Sequence, residues 1–235
     1  MSTRIVVIIP CFNEARRLDT TAIGALRTVD VNVLVVDDGS TDDTAAVAEA
    51  AGLRVLRLPD NVGKGEAVRR GLLQALDDGA GIIGYLDADL STPIDEYRRL
   101  IAAVVDDTDI DVVLGSRIAH LGAHIERRAV RHYLGRLFAT TASLALGLAV
   151  YDTQCGAKVF RDTPALRTAL ATPLSSRWGF DVELLARLLD AGVAPSQLRE
   201  VPLHRWRDVD GSRLSVRGMV TAGLDVVVFG FKRRR

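Results

Sequence analysis

Two carboxylates separated by one residue follow an apolar stretch near the middle of the chain. Asp87 and Asp89 flank Ala88 directly after residues 81–86, which have the composition of a buried strand. Open α/β sheets bind ligands at the carboxyl ends of their strands, and side chains two positions apart on a strand point the same way. Such a pair can bind a hard divalent cation together with diphosphate oxygens. A turn without a ligand is the simpler alternative, because Asp is common in turns.

The composition is that of one α/β domain rather than a nucleic-acid-binding or disulfide-rich protein. The chain has 235 residues, and its 30 basic residues balance 30 acidic residues. This length suffices for one substantial core, and the neutral total gives no indication of a nucleic-acid partner. Two cysteines fit a reducing compartment, and the residues before Arg4 do not form a secretory signal. We therefore expect a cytoplasmic protein.

Short apolar runs that alternate with helical patterns predict the elements that position the two carboxylates. The predicted strands cover residues 5–9, 31–36, 54–58, 82–86 and 112–114. Runs without polar–apolar alternation are typical of strands buried on both faces, and the intervening helices favour a mostly parallel sheet. The strand signal weakens after Gly115, and residues 126–148 predict a long amphipathic helix. The predicted fold is a Rossmann-like central sheet flanked by helices.

Polar residues also follow the first two predicted strands. Residues 9–14 do not contain the glycine pattern of a dinucleotide-binding loop, so a redox cofactor is not predicted. Asp37 and Asp38 follow the second strand and precede Gly-Ser-Thr, which is also ordinary chemistry for the start of a helix. Carboxylates therefore occur at successive strand ends, where a common site can form.

Taken in order, these motifs resemble those of the family 2 glycosyltransferases of GT-A fold. The motifs of the first half are residues 9–14, 36–42, 61–65 and 87–93. The motifs of the second half resemble the branch that contains the dolichyl-phosphate β-glucosyltransferases and bacterial polyprenyl-phosphate glycosyltransferases; they are residues 115–117, 152–160, 179–184 and 200–202. The chain departs from the common pattern at Cys11-Phe12, where a small residue and Tyr are usual, and at Ala157, where an aromatic residue is common.

The resemblance implies a nucleotide-sugar site in the first half of the chain. Its predicted members are Pro10, Phe12, Glu14, Asp37, Asp38, Lys64, Asp87, Ala88 and Asp89. Asp38 would accept a hydrogen bond from the ring N–H of uracil, and Glu14 from ribose hydroxyls, since carboxylates act only as acceptors. Asp87 and Asp89 would bind Mg²⁺ or Mn²⁺, which neutralises charge on the departing nucleoside diphosphate. Lys64 would contact phosphate or base, although a plain surface lysine is an equal alternative.

The resemblance also implies acceptor and phosphate contacts in the second half. The predicted residues are Arg117, Arg128, Arg131, Gln154, Lys158 and Arg213. Arg128 and Arg131 are about one helical turn apart and share a face, and planar guanidinium groups suit phosphate. A solvated helix face is the alternative explanation for the arginines of this region.

The nature of the acceptor decides whether the reaction needs a base. A polyprenyl phosphate is mostly dianionic at neutral pH and needs no general base to attack the anomeric carbon. A hydroxyl acceptor such as phosphoglycerate would need a carboxylate base, and Asp181 is the first candidate. Capping of the helix that follows Asp181 explains this residue equally well. The predicted catalytic residues are Asp89, Arg117 and Asp181.

The motifs divide the chain into a GT-A domain over residues 1–213 and a C-terminal segment over residues 214–235. Within the domain, residues 1–117 form the nucleotide-sugar half and residues 118–213 the acceptor half. The C-terminal segment is apolar and ends in four basic residues. As an amphipathic helix it could lie on an anionic leaflet, each basic residue contributing about 1 kcal/mol. Packing on the core is the alternative, and peripheral association with the cytoplasmic face of the membrane is the expectation.

We therefore predict an inverting, metal-dependent glycosyltransferase that transfers a hexosyl group to polyprenyl phosphate. Glucose from UDP-glucose is the favoured donor group, and GDP-mannose is the alternative donor. A soluble transferase that acts on a small hydroxyl acceptor is a rival enzyme, and a non-catalytic nucleotide-sugar-binding subunit is a rival of another class. The sequence gives no prediction of the oligomeric state.

Overall fold

In the computed structural model, a seven-stranded sheet lies at the centre of the chain. The structure describes residues 3–126, 129–176 and 179–209, and no side chain between residues 129 and 137. The strands are β1 (Ile5–Cys11), β2 (Val31–Asp37), β3 (Arg54–Arg57), β4 (Ile82–Leu86), β5 (Val112–Ser116), β6 (His124–Glu126), β7 (Ala157–Arg161), β8 (Leu198–Pro202) and β9 (Arg205–Arg207). The helices are α1 (Thr20–Ala25), α2 (Thr44–Ala50), α3 (Lys64–Asp77), α4 (Ile94–Val105), α5 (Ala129–Leu146), α6 (Pro164–Leu170) and α7 (Phe180–Asp190).

The strand order of the main sheet is β3-β2-β1-β4-β7-β5-β8. All neighbouring strands are parallel except β7, which runs antiparallel to both β4 and β5. The predicted strands are confirmed as β1 to β5, and the mostly parallel α/β sheet is confirmed as well. The sequence analysis did not identify β7 as a strand, although it lies within the motif at residues 152–160.

The long helix predicted over residues 126–148 begins later than expected, at Ala129. Glu126 instead ends β6, which pairs in parallel with β9 to form a second, two-stranded sheet. The backbone N–H of His124 donates to the carbonyl of His204 at 2.7 Å as this pairing begins. A strand partner so distant in the chain leaves no trace in the local apolar pattern.

Helices cover both faces of the main sheet. On β1, the neighbouring residues Ile8 and Ile9 are both fully buried but belong to different core clusters. Ile8 packs in the same cluster as Leu72 of α3, whereas Ile9 lies in the cluster of Leu100 of α4. Burial on both faces explains why the strands lack polar–apolar alternation.

The topology brings several chain segments to one edge of the sheet. Strand β1 lies between β2 and β4, so the strand order reverses direction at β1. Ligands of open α/β sheets bind in the crevice at such a switch point, outside the carboxyl ends of the strands. Because β7 is antiparallel, its first residue Ala157 pairs with Leu86, the last residue of β4. The loop before β7 therefore reaches the same edge.

The described residues include no helix with both the length and the apolar character required to cross a bilayer. The predicted C-terminal segment at residues 214–235 lies outside the described residues, as do Arg128 and Arg213. The backbone of Arg131 belongs to α5, but its side chain is outside the described part of the chain.

Replacing a leucine between α3 and the sheet provides a test of this core. Leu72→Ala should lower the free energy of unfolding by about 3 kcal/mol, because the lost side chain leaves a cavity among fully buried neighbours. Leu144→Ala on α5 is the matched control, since Leu144 is 65% exposed and its loss should cost less than about 0.5 kcal/mol. Urea denaturation measures both, and equal losses would contradict this packing.

Candidate active site

The turn after β4 holds the two carboxylates Asp87 and Asp89. The N–H of Asp87 donates to the carbonyl of Gly156 at 2.9 Å, and the N–H of Leu90 donates to the carbonyl of Asp87 at 3.1 Å. Asp89 accepts from the N–H of Ser91 at 2.9 Å. Leu90 has φ +50°, a value uncommon for a residue with a side chain. Its hydrogen bond holds this conformation and keeps both carboxylates at the sheet edge.

The predicted phosphate-binding lysine contacts one of these carboxylates. Lys64 is the first residue of α3, and its Nζ lies 2.6 Å from Oδ1 of Asp87. Partial burial raises the pKa of Asp87, and the charge of Lys64 only partly offsets that effect. Partial burial, the largest influence on Lys64, would lower its pKa, but the charges of Asp87, Asp181 and Asp89 and the hydrogen bond to Asp87 together raise it. The ammonium and the carboxylate therefore stabilise each other's charge at this edge.

Asp38 connects the end of β2 to the loop that precedes Lys64. Its carboxylate is almost fully buried and accepts from the N–H of Val62 at 2.8 Å and from the N–H of Gly63 at 3.0 Å. The neighbouring Asp37 accepts from the N–H of Ser40 at 3.1 Å. Asp38 thus fixes the loop that precedes Lys64 at the edge of the sheet.

The loop after β1 lies beside this region. Glu14 is buried, and its carboxylate forms an ion pair with Arg17, whose Nη2 donates to Oε1 at 2.6 Å. The N–H of Glu14 donates to the hydroxyl of Thr44 at 2.8 Å. Pro10 and Phe12 are half-buried at the end of β1 and just beyond it. The predicted nucleoside-binding residues therefore occupy the ends of β1 and β2, next to each other in the sheet.

Asp181 occupies a buried position in the first turn of α7. Only 5% of the residue is exposed, and its Oδ1 accepts from the hydroxyl of Tyr85 and from Nζ of Lys158, the latter at 2.6 Å. Lys158 is 1% exposed and also donates to the carbonyl of Cys155 at 2.7 Å. Burial, together with the charge of Asp181, raises the pKa of Tyr85 well above its ordinary value. Tyr85 is therefore a permanent donor, and Asp181 is the counter-ion of a buried lysine.

The guanidinium group of Arg117 is held by a carboxylate of the loop before β7. Its Nε and Nη2 donate to the two oxygens of Asp152 at 2.6 and 2.7 Å. Asp152 also accepts from the N–H of Gln154 at 3.1 Å. Glu200 accepts from the N–H groups of Tyr151 and Asp152 at 2.9 and 2.7 Å. Nε and Nη2 of Arg117 thus both donate hydrogen bonds to a carboxylate of the protein itself.

Several residues of this edge were not identified from the sequence as site candidates. Asp152 and Gly156 lie in the recognised motif at residues 152–160, so that motif could have indicated both as site residues. Tyr85 gave no signal beyond its place in an apolar strand, because its partner Asp181 is distant in the chain. Gln154, which was predicted, lies in the same loop, and its Nε2 is buried without a hydrogen-bond partner in the described part of the chain.

The carboxylates of this turn suit a cation that is shared with a ligand. Among the described residues, no group of three or more His, Cys, Asp or Glu side chains could hold a metal ion. Asp87 and Asp89 offer carboxylate oxygens from one turn, and Mg²⁺ is commonly bound by one or two carboxylates together with substrate phosphates and water. The residues therefore fit a cation bound jointly with a diphosphate rather than a self-contained metal centre.

Comparison with known proteins identifies the family of the chain. The model of glycosyl transferase family 2 matches residues 6–166. A dolichyl-phosphate beta-glucosyltransferase of Trichomonas vaginalis is 33% identical over 94% of this chain and 68% of that protein. The dolichyl-phosphate beta-glucosyltransferase of Drosophila melanogaster is 33% identical over 91% of this chain and 70% of that protein.

Solved structures show the same fold. Glucosyl-3-phosphoglycerate synthase of Mycobacterium tuberculosis matches with a TM-score of 0.72 at 23% identity, over 98% of this chain and 80% of that chain. The complex of that enzyme with Mn²⁺, UDP-glucose and phosphoglyceric acid matches with a TM-score of 0.71 at 22% identity, over 98% of this chain and 79% of that chain. The chain therefore has the GT-A fold, belongs to glycosyl transferase family 2 and is a glycosyltransferase.

Proposed function

We propose that this glycosyltransferase transfers glucose from UDP-glucose to a polyprenyl phosphate with inversion at the anomeric carbon. The single observation that carries the choice of acceptor is the commitment of Asp181 to the buried Lys158. Relatives named dolichyl-phosphate beta-glucosyltransferase, at 33% identity over most of this chain, support the same acceptor and the same sugar.

The donor half of the proposal rests on the ends of β1, β2 and β4. Asp38 and Glu14 would bind the nucleoside, while Asp87 and Asp89 would hold Mg²⁺ or Mn²⁺ together with the diphosphate. When bound, the cation neutralises charge on the leaving nucleoside diphosphate. Lys64 adds a positive charge beside Asp87 and can stabilise the same leaving group.

The acceptor half follows from the charges around Asp181. If Asp181 took a proton from an acceptor hydroxyl, the buried ammonium of Lys158 would lose its counter-ion, which is costly in a protein interior. A polyprenyl phosphate avoids this requirement, because it arrives as an anion. One of its oxygens forms the bond to the anomeric carbon as the bond from that carbon to the diphosphate breaks. Positioning and charge stabilisation then supply the catalysis.

The predicted phosphate-binding residues take different parts in this proposal. We assign Arg117 and Lys158 to holding the site together, because each is paired with a buried carboxylate. Gln154 retains a side-chain donor for the acceptor phosphate or for a sugar hydroxyl. Arg128, Arg131 and Arg213 remain candidates for the acceptor phosphate.

A polyprenyl acceptor is embedded in a bilayer, so the proposal includes peripheral contact with a membrane. The predicted C-terminal segment combines an apolar stretch with four terminal basic residues, a composition suited to an anionic surface. A transfer assay should therefore present the acceptor in anionic liposomes.

Labelled glucose from UDP-glucose should enter the organic phase when the protein is incubated with polyprenyl phosphate and Mn²⁺. GDP-mannose, in place of UDP-glucose, tests the alternative donor, and 3-phosphoglycerate tests the hydroxyl acceptor with its product in the aqueous phase. Organic extraction followed by scintillation counting measures the transfer. Preferential use of 3-phosphoglycerate, or of GDP-mannose, would overturn the proposed substrates.

Asp89→Ala should reduce this transfer by at least about a hundredfold, equivalent to about 2.7 kcal/mol in the barrier, because it removes a proposed cation ligand. The melting temperature should change little, since Asp89 lies on a turn at the sheet edge. Asp109→Ala, at an exposed position just before β5, is the matched control and should leave transfer unchanged. Activity of the Asp89 variant within a few-fold of wild type, or undiminished wild-type activity in EDTA, would refute the cation site.

A double substitution separates the structural role of Asp181 from a role as base. Asp181→Asn alone should cost about 3–5 kcal/mol of unfolding free energy, because it leaves the Lys158 charge buried without a partner. Adding Lys158→Met removes that charge and should restore much of the stability. Transfer to polyprenyl phosphate by the double variant should stay within about tenfold of wild type, whereas loss of a general base typically costs about 10²–10⁴-fold. Initial rates and urea denaturation of both variants decide between these outcomes.

A further inference from the structure

Gly156 lies directly against the carboxylate of Asp87. Its carbonyl accepts from the N–H of Asp87 at 2.9 Å, so the two backbones are fixed side by side. A Cβ atom at Gly156 would overlap Oδ2 and Cγ of Asp87 and would come within 2.6 Å of Oδ1. Asp87 can adopt its present rotamer only because residue 156 has no side chain.

The loop that carries Gly156 is anchored at both ends. After Gly156, β7 begins at Ala157, which pairs with Leu86 of β4. At its start, Asp152 binds both ends of the Arg117 fork and is further held by Glu200. A loop fixed in this way would not retreat from an added methyl group, so the carboxylate of Asp87 would have to move.

We infer that Gly156 is a positioning residue for the reaction: it sets the rotamer in which Asp87 meets Lys64 and, if the proposed function holds, the divalent cation. Arg117 also helps to position Asp87, because its hydrogen bonds to Asp152 hold the loop that carries Gly156 in place. Gly156 is thus a part of the proposed donor site that positions another residue and is not itself a catalytic group.

Alanine substitutions at two other glycines can distinguish a role in positioning Asp87 from a role in folding. A Cβ at Gly84 would overlap the backbone carbonyl of Lys158 and the hydroxyl of the buried Tyr97, neither of which can move cheaply. A Cβ at Gly24 on α1 would have nothing within 4 Å. At Gly156, the obstructing atoms are the end of one side chain that can rotate away. Ala should therefore damage the fold at position 84, the cation site at position 156, and neither at position 24.

The experiment compares Gly156→Ala, Gly84→Ala, Gly24→Ala and Asp87→Ala with wild type. Titration calorimetry measures the affinity for UDP at saturating Mn²⁺ and in EDTA, and a thermal scan measures the melting temperature. Gly156→Ala should bind UDP at least about tenfold more weakly with Mn²⁺ while its melting temperature stays near that of wild type. Its affinity in EDTA should equal that of wild type, which a general loss of structure would not leave unchanged.

The remaining variants make failure of this inference distinct from failure of the proposed function. If Mn²⁺ strengthens UDP binding to wild type but not to Asp87→Ala, and Gly156→Ala behaves as wild type, the positioning role is refuted and the donor site stands. A melting temperature of Gly156→Ala as low as that of Gly84→Ala would make Gly156 a structural glycine and also refute the role. If Mn²⁺ does not affect UDP binding to wild type, the proposed cation site and the role of Gly156 are both wrong.

Discussion

The buried ammonium group of Lys158 is the constraint on which the arrangement of the site depends. Lys158 is the second residue of β7, a strand between β4 and β5, and water cannot solvate its charge there. A charge in such a place is tolerated only with a counter-ion and hydrogen bonds. Asp181 of α7 provides the counter-ion, and the carbonyl of Cys155 provides a further acceptor. One charged group therefore ties a central strand, a helix terminus and the loop before β7 to the same edge of the sheet.

The charges at this edge are balanced pair by pair. Lys64 pairs with Asp87, Arg117 with Asp152 and Lys158 with Asp181. Asp89 differs, because it forms no ion pair with another described residue. In the proposed reaction a cation and a diphosphate enter together, so Asp89 gains a counter-ion and Lys64 can exchange Asp87 for phosphate oxygens. The more deeply buried Lys158 pair is undisturbed by that exchange, and the framework can stay in place while the outer charges rearrange.

The sequence predicted those parts of the fold that depend on local pattern. Strands β1, β2, β4 and β5 are mostly apolar runs, and Asp38 and Asp87 follow β2 and β4 as expected. Strand β7 was missed because this short strand contains Lys158, and a lysine in isolation indicates an exposed position. The burial of Lys158 is stable only because Asp181, distant in the chain, provides a counter-ion. A local sequence pattern does not indicate such a partner. The same reason explains the late start of α5, since β6 pairs with a strand near the end of the described chain. The predicted roles of the site residues stay predictions, but their neighbours could be known only from the fold.

In the proposed reaction, individual carboxylates, and not the GT-A fold, determine which acceptor the protein can use. The fold is shared with a glucosyl-3-phosphoglycerate synthase, while the relatives of higher identity are named for dolichyl phosphate. A hydroxyl acceptor requires a carboxylate that can take up a proton without abandoning a buried cation. Asp181 does not meet that condition here, since its Oδ1 already holds Lys158 and Tyr85. An acceptor that brings its own negative charge places no such demand on the protein, which is why the ion pair of Asp181 favours a phosphate over a hydroxyl.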